Sequence, residues 1–256
     1  MKIAILVPSR ERMNRRLTML MSILTSVKDI NNVNVYIGVD EDDPTKDKIK
    51  KIAAAIPCVK IVNIKNEGKF IGLGKMWNLC VAESNEEIIS MIGDDMVFLT
   101  PNWDEMLIEE FKKAPPDKIH GVHCNDGYHG EKLAVNFFCL RKYAELMEGK
   151  FMREEFKINW IDQWLHQLFK SMGRLNYRGD IMIEHRHWVL GKDKRDTVAD
   201  RMATADKDKI SDKLWFDLTN ERIKDVWKLE DYTGVKADWS KVDTQKATIQ
   251  FVRDLK

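Results

Sequence analysis

The chain has 256 residues, 44% of them apolar, and 42 basic against 41 acidic side chains give a formal net charge of +1. That length can bury a large core within one domain, and the near balance of charge excludes a global field drawing the protein to nucleic acid or anionic lipid, leaving only a local basic groove. Its four cysteines, Cys58, Cys80, Cys124 and Cys139, form no CxxC pair, are too sparse for a disulfide scaffold, and read as reduced, buried thiols.

In chain order, MKIAILVPSRERMNRR opens with an apolar run too short for a signal peptide, and no later run approaches membrane-spanning length, so a cytoplasmic protein is expected. KIAILVP is a compact β-type run. RRLTMLMSILTSVKDI then places Leu17, Leu20, Met21, Leu24 and Val27 on one helical stripe, and NVNVYIGVD returns to strand. KDKIKKIAAAI follows as a helix, VKIVNI as a strand, LGKMWNLCVAES as a helix and EIISMIG as a strand. This alternation predicts an α/β fold with a largely parallel, doubly wound sheet flanked by helices. Beyond residue 115 the pattern is mixed: KIHGVHC and LAVNFFCL read as strands, KYAELMEG and WIDQWLHQLFKSMG as helices, and DIMIEHRHW as a strand running into a loop. From about residue 206 a charged helical segment carries Leu214, Leu218 and Trp227 to pack back on the core. The expected organisation is a catalytic domain over 1–205 with a helical extension over 206–256 packed on it.

In such a sheet ligands gather at strand ends, where PSR at 8–10, VDEDDP at 39–44, NEGKFIGLGK at 66–75 and GDDM at 93–96 fall. The adjacent carboxylates Asp94 and Asp95 suit a hard divalent cation, which takes one or two carboxylates plus phosphate oxygens; equally, they could cap the turn that follows. A P-loop fails because Met76 follows Lys75 and residue 69 is not glycine, and a dinucleotide fingerprint fails because Trp77 stands where its last glycine belongs. A polymerase palm would need a longer chain. His185 and His187 point the same way on a strand. The cluster His120, His123, Cys124 and His129 matches no zinc spacing, and the loop CNDGYHGE offers Asn125, Asp126 and His129 as polar candidates for lining a pocket.

The series VPSRER, GVDEDDP, GLGKMWNLCVAES and ISMIGDDMVFLTPNWDEML resembles, in order and spacing, the GT-A nucleotide-sugar glycosyltransferases, particularly the inverting family 2 enzymes, from about Ile3 to about Lys194. Its strongest part, GDDMVFLTPNWDEML, resembles the DXD segment of small bacterial and phage members, with Gly93 at the usual first aspartate. The resemblance implies a metal-dependent inverting transfer, with Mn²⁺ or Mg²⁺ on Asp95 and Asp94 facing the ribose or a metal-bound water. It also implies that Pro8, Ser9 and Arg10 line the nucleotide pocket and that Asp40 reads the base. A carboxylate suits the imide N–H of uracil, so a UDP-sugar is the expected donor. Lys75 and Asn78 open a helix whose N-terminus favours phosphate or ribose.

By the same resemblance, Asp162 at the start of INWIDQWLHQLFKSMG is the general base, although a first-turn aspartate is also a common dipole partner. Its neighbours Trp160 and Trp164 read as stacking platforms or as core. His185 or His187 completes the metal site, with Lys192 and Arg195 near the departing diphosphate. Two rivals stand beside this reading. A sugar-nucleotide nucleotidyltransferase normally has a glycine-rich loop after its first strand, which VPSRERMNR lacks; a non-catalytic nucleotide-binding module would tolerate loss of Asp95, Asp162 and His185. The acceptor hydroxyl is open among a modified DNA base, as for some phage enzymes, a surface glycan and a small molecule.

Overall fold

The computed structural model describes residues 1–244; the last part of the expected extension, 245–256, lies outside the described residues. The chain runs β1 (Ile3–Ser9), α1 (Met13–Ser26), β2 (Val33–Asp40), α2 (Lys46–Ala54), β3 (Val59–Ile64), α3 (Leu73–Ala82), β4 (Ile88–Met91), β5 (Met96–Phe98) and α4 (Trp103–Lys112). It continues through β6 (Gly121–Asn125), β7 (Phe137–Leu140), α5 (Lys142–Leu146), α6 (Ile161–Ser171), β8 (Leu175–His185), α7 (Thr197–Ala205), α8 (Ile210–Asp217) and α9 (Thr219–Thr233).

The eight strands lie in the order β3-β2-β1-β4-β7-β6-β8-β5. β3, β2, β1 and β4 are parallel, β7 runs antiparallel to both β4 and β6, and β6 and β8 are again parallel. The sheet is therefore mixed, and its parallel part is the half whose sequence alternates strand and helix. All seven residues of β1 are buried, as a central strand covered on both faces requires. Ile3, Ile5 and Val7 pack with Met19, Leu20 and Ile23 of α1 on one side, and Ala4 and Leu6 pack with Met76, Trp77 and Cys80 of α3 on the other. The four cysteines are buried and free of disulfides, and no described helix is long and apolar enough to cross a membrane.

The buried face of α1 is turned from the predicted stripe. Met21 is 56% exposed, while Arg16, Met19, Leu20 and Ile23 face inward. The rotation lets the Arg16 guanidinium reach Ser9 Oγ (2.6 Å) and Asp43 Oδ2 (2.5 Å) beneath the strand ends. The charged C-terminal segment forms two helices rather than one, and α9 packs on α6, where Asp225 takes Trp164 Nε1 (3.1 Å) and Arg153 Nη2 (2.6 Å).

The start of α3 is closed by the segment before α6. Gly72 holds a φ of +92°, Leu73 N donates to the carbonyl of Lys157 (2.7 Å), and a Cβ on Gly74 would collide with the carbonyl oxygen of Arg153. Because that obstacle is backbone, Gly74→Ala is expected to destabilise the protein by about 1–3 kcal/mol. Urea unfolding beside the unmodified protein measures this, and an unchanged midpoint would show that the 153–157 segment moves freely.

Candidate active site

Strands β1, β2 and β4 end side by side, and the site is built on their ends. After β4 the chain turns at Gly93, sending Asp94 and Asp95 different ways. Asp94 is 4% exposed, takes the Ser9 hydroxyl on Oδ2 (2.5 Å) and receives Arg12 Nη1 on Oδ1 (3.0 Å). Burial pushes the Asp94 carboxyl above its ordinary range against the pull of Arg12, with the neighbouring Asp95 charge acting in the same direction as burial. The rest of the Arg12 guanidinium is held by Asp196, through Nε at 2.8 Å and Nη2 at 3.1 Å.

Asp95 owes its neighbour to strand register. β5 pairs antiparallel with β8, with Met96 opposite His185, so the preceding residue lies beside the imidazole: Asp95 Oδ1 is 3.4 Å from His185 Nε2. Burial would raise the Asp95 carboxyl, but His185 and then Arg12 bring it below the usual value; burial would lower His185, and Asp95 raises it instead. The other His185 nitrogen, Nδ1, is buried with no hydrogen-bond partner. His187 lies beyond the strand end, with its ring 5.2 Å from that of His185, and its Nδ1 accepts from Val189 N at 3.3 Å. Among the described residues no group of three or more histidine, cysteine, aspartate or glutamate side chains could hold a metal ion. A carboxylate beside an imidazole is the donor set for a cation such as Mn²⁺ that takes its remaining ligands from phosphate oxygens and water.

One cavity of about 620 Å³ joins these groups. In its lining Asp40 is 3% exposed, and its Oδ2 receives Arg10 Nη1 (3.1 Å) and Arg201 Nη1 (3.3 Å), the latter from α7. Phe70 also lines it, 5.6 Å from the Arg201 guanidinium. Pro8, Ser9, Arg10, Asp94, Asp95, His185, His187, Asp162 and Trp160 line the same cavity. Asp162 opens α6, where its Oδ1 accepts from Gln163 N (2.8 Å), and burial pushes its carboxyl upward. Trp160 takes a φ of +74°, stacks on Trp215 with ring centroids 4.7 Å apart and donates its indole N–H to Asp212 at 2.7 Å. Trp164, by contrast, is core.

Three expected residues sit elsewhere. Lys75 is exposed and lines no part of the cavity. Asn78 is buried, its amide clamping both N and O of Met152 (2.8 and 2.9 Å). The backbone cover over the start of α3 accounts for both. Lys192 bonds Glu184 (3.0 Å), and with Arg195 it borders a neighbouring cavity of about 550 Å³ that shares Arg12, Asp94 and Asp95 with the first. Arg12, Asp196 and Arg201 escaped the sequence reading. The basic run RERMNRR was the available signal for Arg12; nothing in sequence linked it to Asp196, 184 residues away.

A model of glycosyl transferase family 2 matches residues 5–191. The chain belongs to glycosyl transferase family 2. It is accordingly a nucleotide-sugar glycosyltransferase, and the mixed sheet flanked by helices is the GT-A fold. Among solved structures, the 1–349 fragment of S. aureus TarS is similar at 12% identity with a TM-score of 0.58, over 99% of this chain and 87% of that one. The mannosyltransferase PcManGT from Pyrobaculum calidifontis, in complex with GDP-Man and Mn²⁺, is similar at 12% identity and a TM-score of 0.56, over 99% and 78%. The TarS fragment in complex with UDP-GlcNAc gives 12% and 0.57, over 88% and 82%. A sequence comparison with curated proteins finds no match.

Two predictions follow from the charges buried here. Arg12→Ala leaves Asp94 without its cation and should cost about 3–5 kcal/mol. Adding Asp94→Asn should recover part of that loss, and strictly additive effects in the double-mutant cycle, measured by denaturant unfolding, would contradict the pairing. The second concerns a buried histidine pair. His123 and His166 face one another with ring centroids 5.9 Å apart, and burial brings each down to about 4. The native state thus binds fewer protons than the unfolded chain between about pH 4 and the ordinary histidine value, so their contribution is complete above that range and lost as pH falls. The loss should reach about 2 kcal/mol for each by pH 5. His166→Phe should flatten the stability-versus-pH curve, and an unaltered slope would contradict the assignment.

Proposed function

We propose that this glycosyltransferase moves a sugar from a UDP-sugar to an acceptor hydroxyl with inversion, using a divalent cation held by Asp95 and His185. One observation carries the reading: a single cavity is lined by Asp40, by Asp95 with His185, and by Asp162, groups suited respectively to read a base, to hold a cation and to take a proton.

At the nucleotide end both arginines approach Asp40 through Oδ2, which leaves Oδ1 to accept the imide N–H of uracil. Pro8, Ser9 and Arg10 supply the adjoining wall, and Phe70 offers an aromatic face for the base. Two further carboxylates, Asp162 and Asp206, line the cavity, and their surroundings separate them. Asp206 is spent on structure, with Oδ2 taking Asn159 Nδ2 (2.7 Å) and Oδ1 taking Ser211 N (2.8 Å). Asp162 Oδ1 accepts from Gln163 N, and burial raises its carboxyl, which suits it to take a proton. It removes the acceptor hydroxyl proton as the oxygen attacks the anomeric carbon and the bond to the diphosphate breaks. Trp160 beside it offers a flat apolar face to the acceptor or the sugar. When bound, the cation supplies positive charge against that developing on the departing diphosphate, and Lys192 and Arg195 add to it from the adjoining cavity.

The test is a panel of UDP-, GDP-, CDP- and ADP-sugars with Mn²⁺ or Mg²⁺, scored by thermal stabilisation and by slow release of nucleotide to water. A UDP-sugar at about 100 times its Kd should add about 2.7 kcal/mol, which is about 5 °C or more for a chain of this size. Asp95→Ala should abolish the metal-dependent part, and Asp162→Asn should keep the stabilisation while lowering turnover about 100-fold or more. Response to nucleoside triphosphates but to no nucleotide sugar would overturn the proposal. With the donor in hand, glucosyl-type transfer to DNA carrying hydroxymethylated bases, to glycans and to small alcohols identifies the acceptor class.

A further inference from the structure

We infer that Arg201, on α7, sets the affinity for the donor by competing with it: its guanidinium holds the place beside Asp40 and Phe70 that the nucleobase takes. The inference rests on the reading of Asp40 as the base reader.

The contacts of Arg201 are those proposed for the base. Its Nη1 donates to Asp40 Oδ2 at 3.3 Å, its guanidinium lies over the Phe70 ring, 5.6 Å from the centroid, and all three side chains line the one cavity. A guanidinium is planar, rich in N–H groups and able to stack on an aromatic face. Here it imitates a flat imide that gives one N–H to a carboxylate and lies on a ring. Asp40 Oδ1 is free of both arginines, yet a base that uses it and also takes the covered face of Phe70 meets the guanidinium there.

Arg201 is the partner that Asp40 can lose. Arg10 Nη1 lies 3.1 Å from the same carboxylate oxygen, and Arg10 is itself held by Glu11, through Nε at 3.0 Å, and by Asp42. With Arg10 in place, the buried Asp40 carboxylate keeps a cation when Arg201 leaves. Among the described residues Arg201 pairs with Asp40 alone, and its side chain is 28% exposed, so water is at hand for the displaced charge. The helix that carries it is lightly seated too. Ala199 is its one buried residue, Val198, Met202 and Ala203 line the cavity, and no residue of α7 belongs to the hydrophobic clusters of the described core. A base therefore binds against a population in which its place is filled, and its apparent affinity is reduced by the open fraction.

The experiment titrates uridine, a neutral probe without phosphate, into the full chain by ligand NMR, unmodified and with Arg201→Ala, alanine being the best helix former. The Kd for uridine should fall about 3–10-fold in the variant. Arg201→Lys, which keeps a charge for Asp40 but no plane for Phe70, should fall between the two, and it carries the comparison if alanine lowers the melting temperature. Salt gives a readout that a merely structural arginine would not move. Added NaCl screens the Arg201–Asp40 pair, so uridine should bind the unmodified protein more tightly as salt rises and gain nothing in Arg201→Ala. Unchanged or weaker uridine binding in the folded variant overturns the inference. Asp40→Ala added to Arg201→Ala should weaken uridine binding; no loss there would place the base elsewhere, a failure of the donor reading that the Arg201 comparison alone cannot produce. Uridine that binds none of these proteins overturns both.

Discussion

The site depends on the burial of Asp94. A carboxylate removed from water needs compensation, and Ser9 and Arg12 supply it from β1 and the turn after it. Arg12 also grips Asp196, just ahead of α7, while Ser9 receives Arg16, which holds Asp43 after β2. Four stretches far apart in sequence, at residues 9–16, 43, 94 and 196, are thus fixed to one another around one charge. Breaking any link exposes a buried ion to an apolar surrounding, so the strand ends are set with more precision than hydrophobic packing alone would give.

Under the proposed reading, four carboxylates of similar chemistry take unlike tasks according to their surroundings. Asp94, saturated by a hydroxyl and a guanidinium, is a girder. Asp95 faces a histidine and lies below its ordinary range, which suits it to remain an anion and bind a cation. Asp40 is flanked by two arginines and keeps an oxygen for a neutral donor. Asp162 has little beyond its own helix and is pushed upward, which suits a group that must take a proton and later release it. Environment rather than residue type separates a ligand from a base.

Much of the first half of the fold was legible because short apolar runs at β1, β2, β3 and β4 alternate with longer segments of helical pattern. The second half was less so. β5 is a three-residue strand defined by its partner β8, and its mate cannot be inferred from a pattern that short. Residues at strand ends were readable as a class, since topology places them there, and Pro8, Ser9, Arg10, Asp40, Asp94 and Asp95 do share a cavity. Asn78 and Lys75 misled because a helix N-terminus attracts anions only when uncovered, and the Lys157 carbonyl covers this one. Trp160 and Trp164 share a helical spacing yet differ in task, because Trp160 sits at the helix start in a left-handed conformation and Trp164 a turn inside it. Asp126 and His129 were visible as polar loop residues, but their mutual bond, Oδ2 to Nδ1 at 2.7 Å, is a matter of turn geometry.

The near neutrality of the chain takes on a different meaning once the pairs are known. Around the donor end, Arg10, Arg12, Arg15, Arg16 and Arg201 are each matched to a carboxylate. An incoming diphosphate therefore meets few unspent cations, and its charge must be balanced either by a cation brought with it or by redistributing these pairs. Arg201 and the Asp196 partner of Arg12 belong to α7 and its N-cap, so redistribution pulls on that helix, while Asp40 and Asp94 stand on the sheet. Under the proposed reading, a cation held at Asp95 lessens the need for such redistribution by arriving with charge of its own.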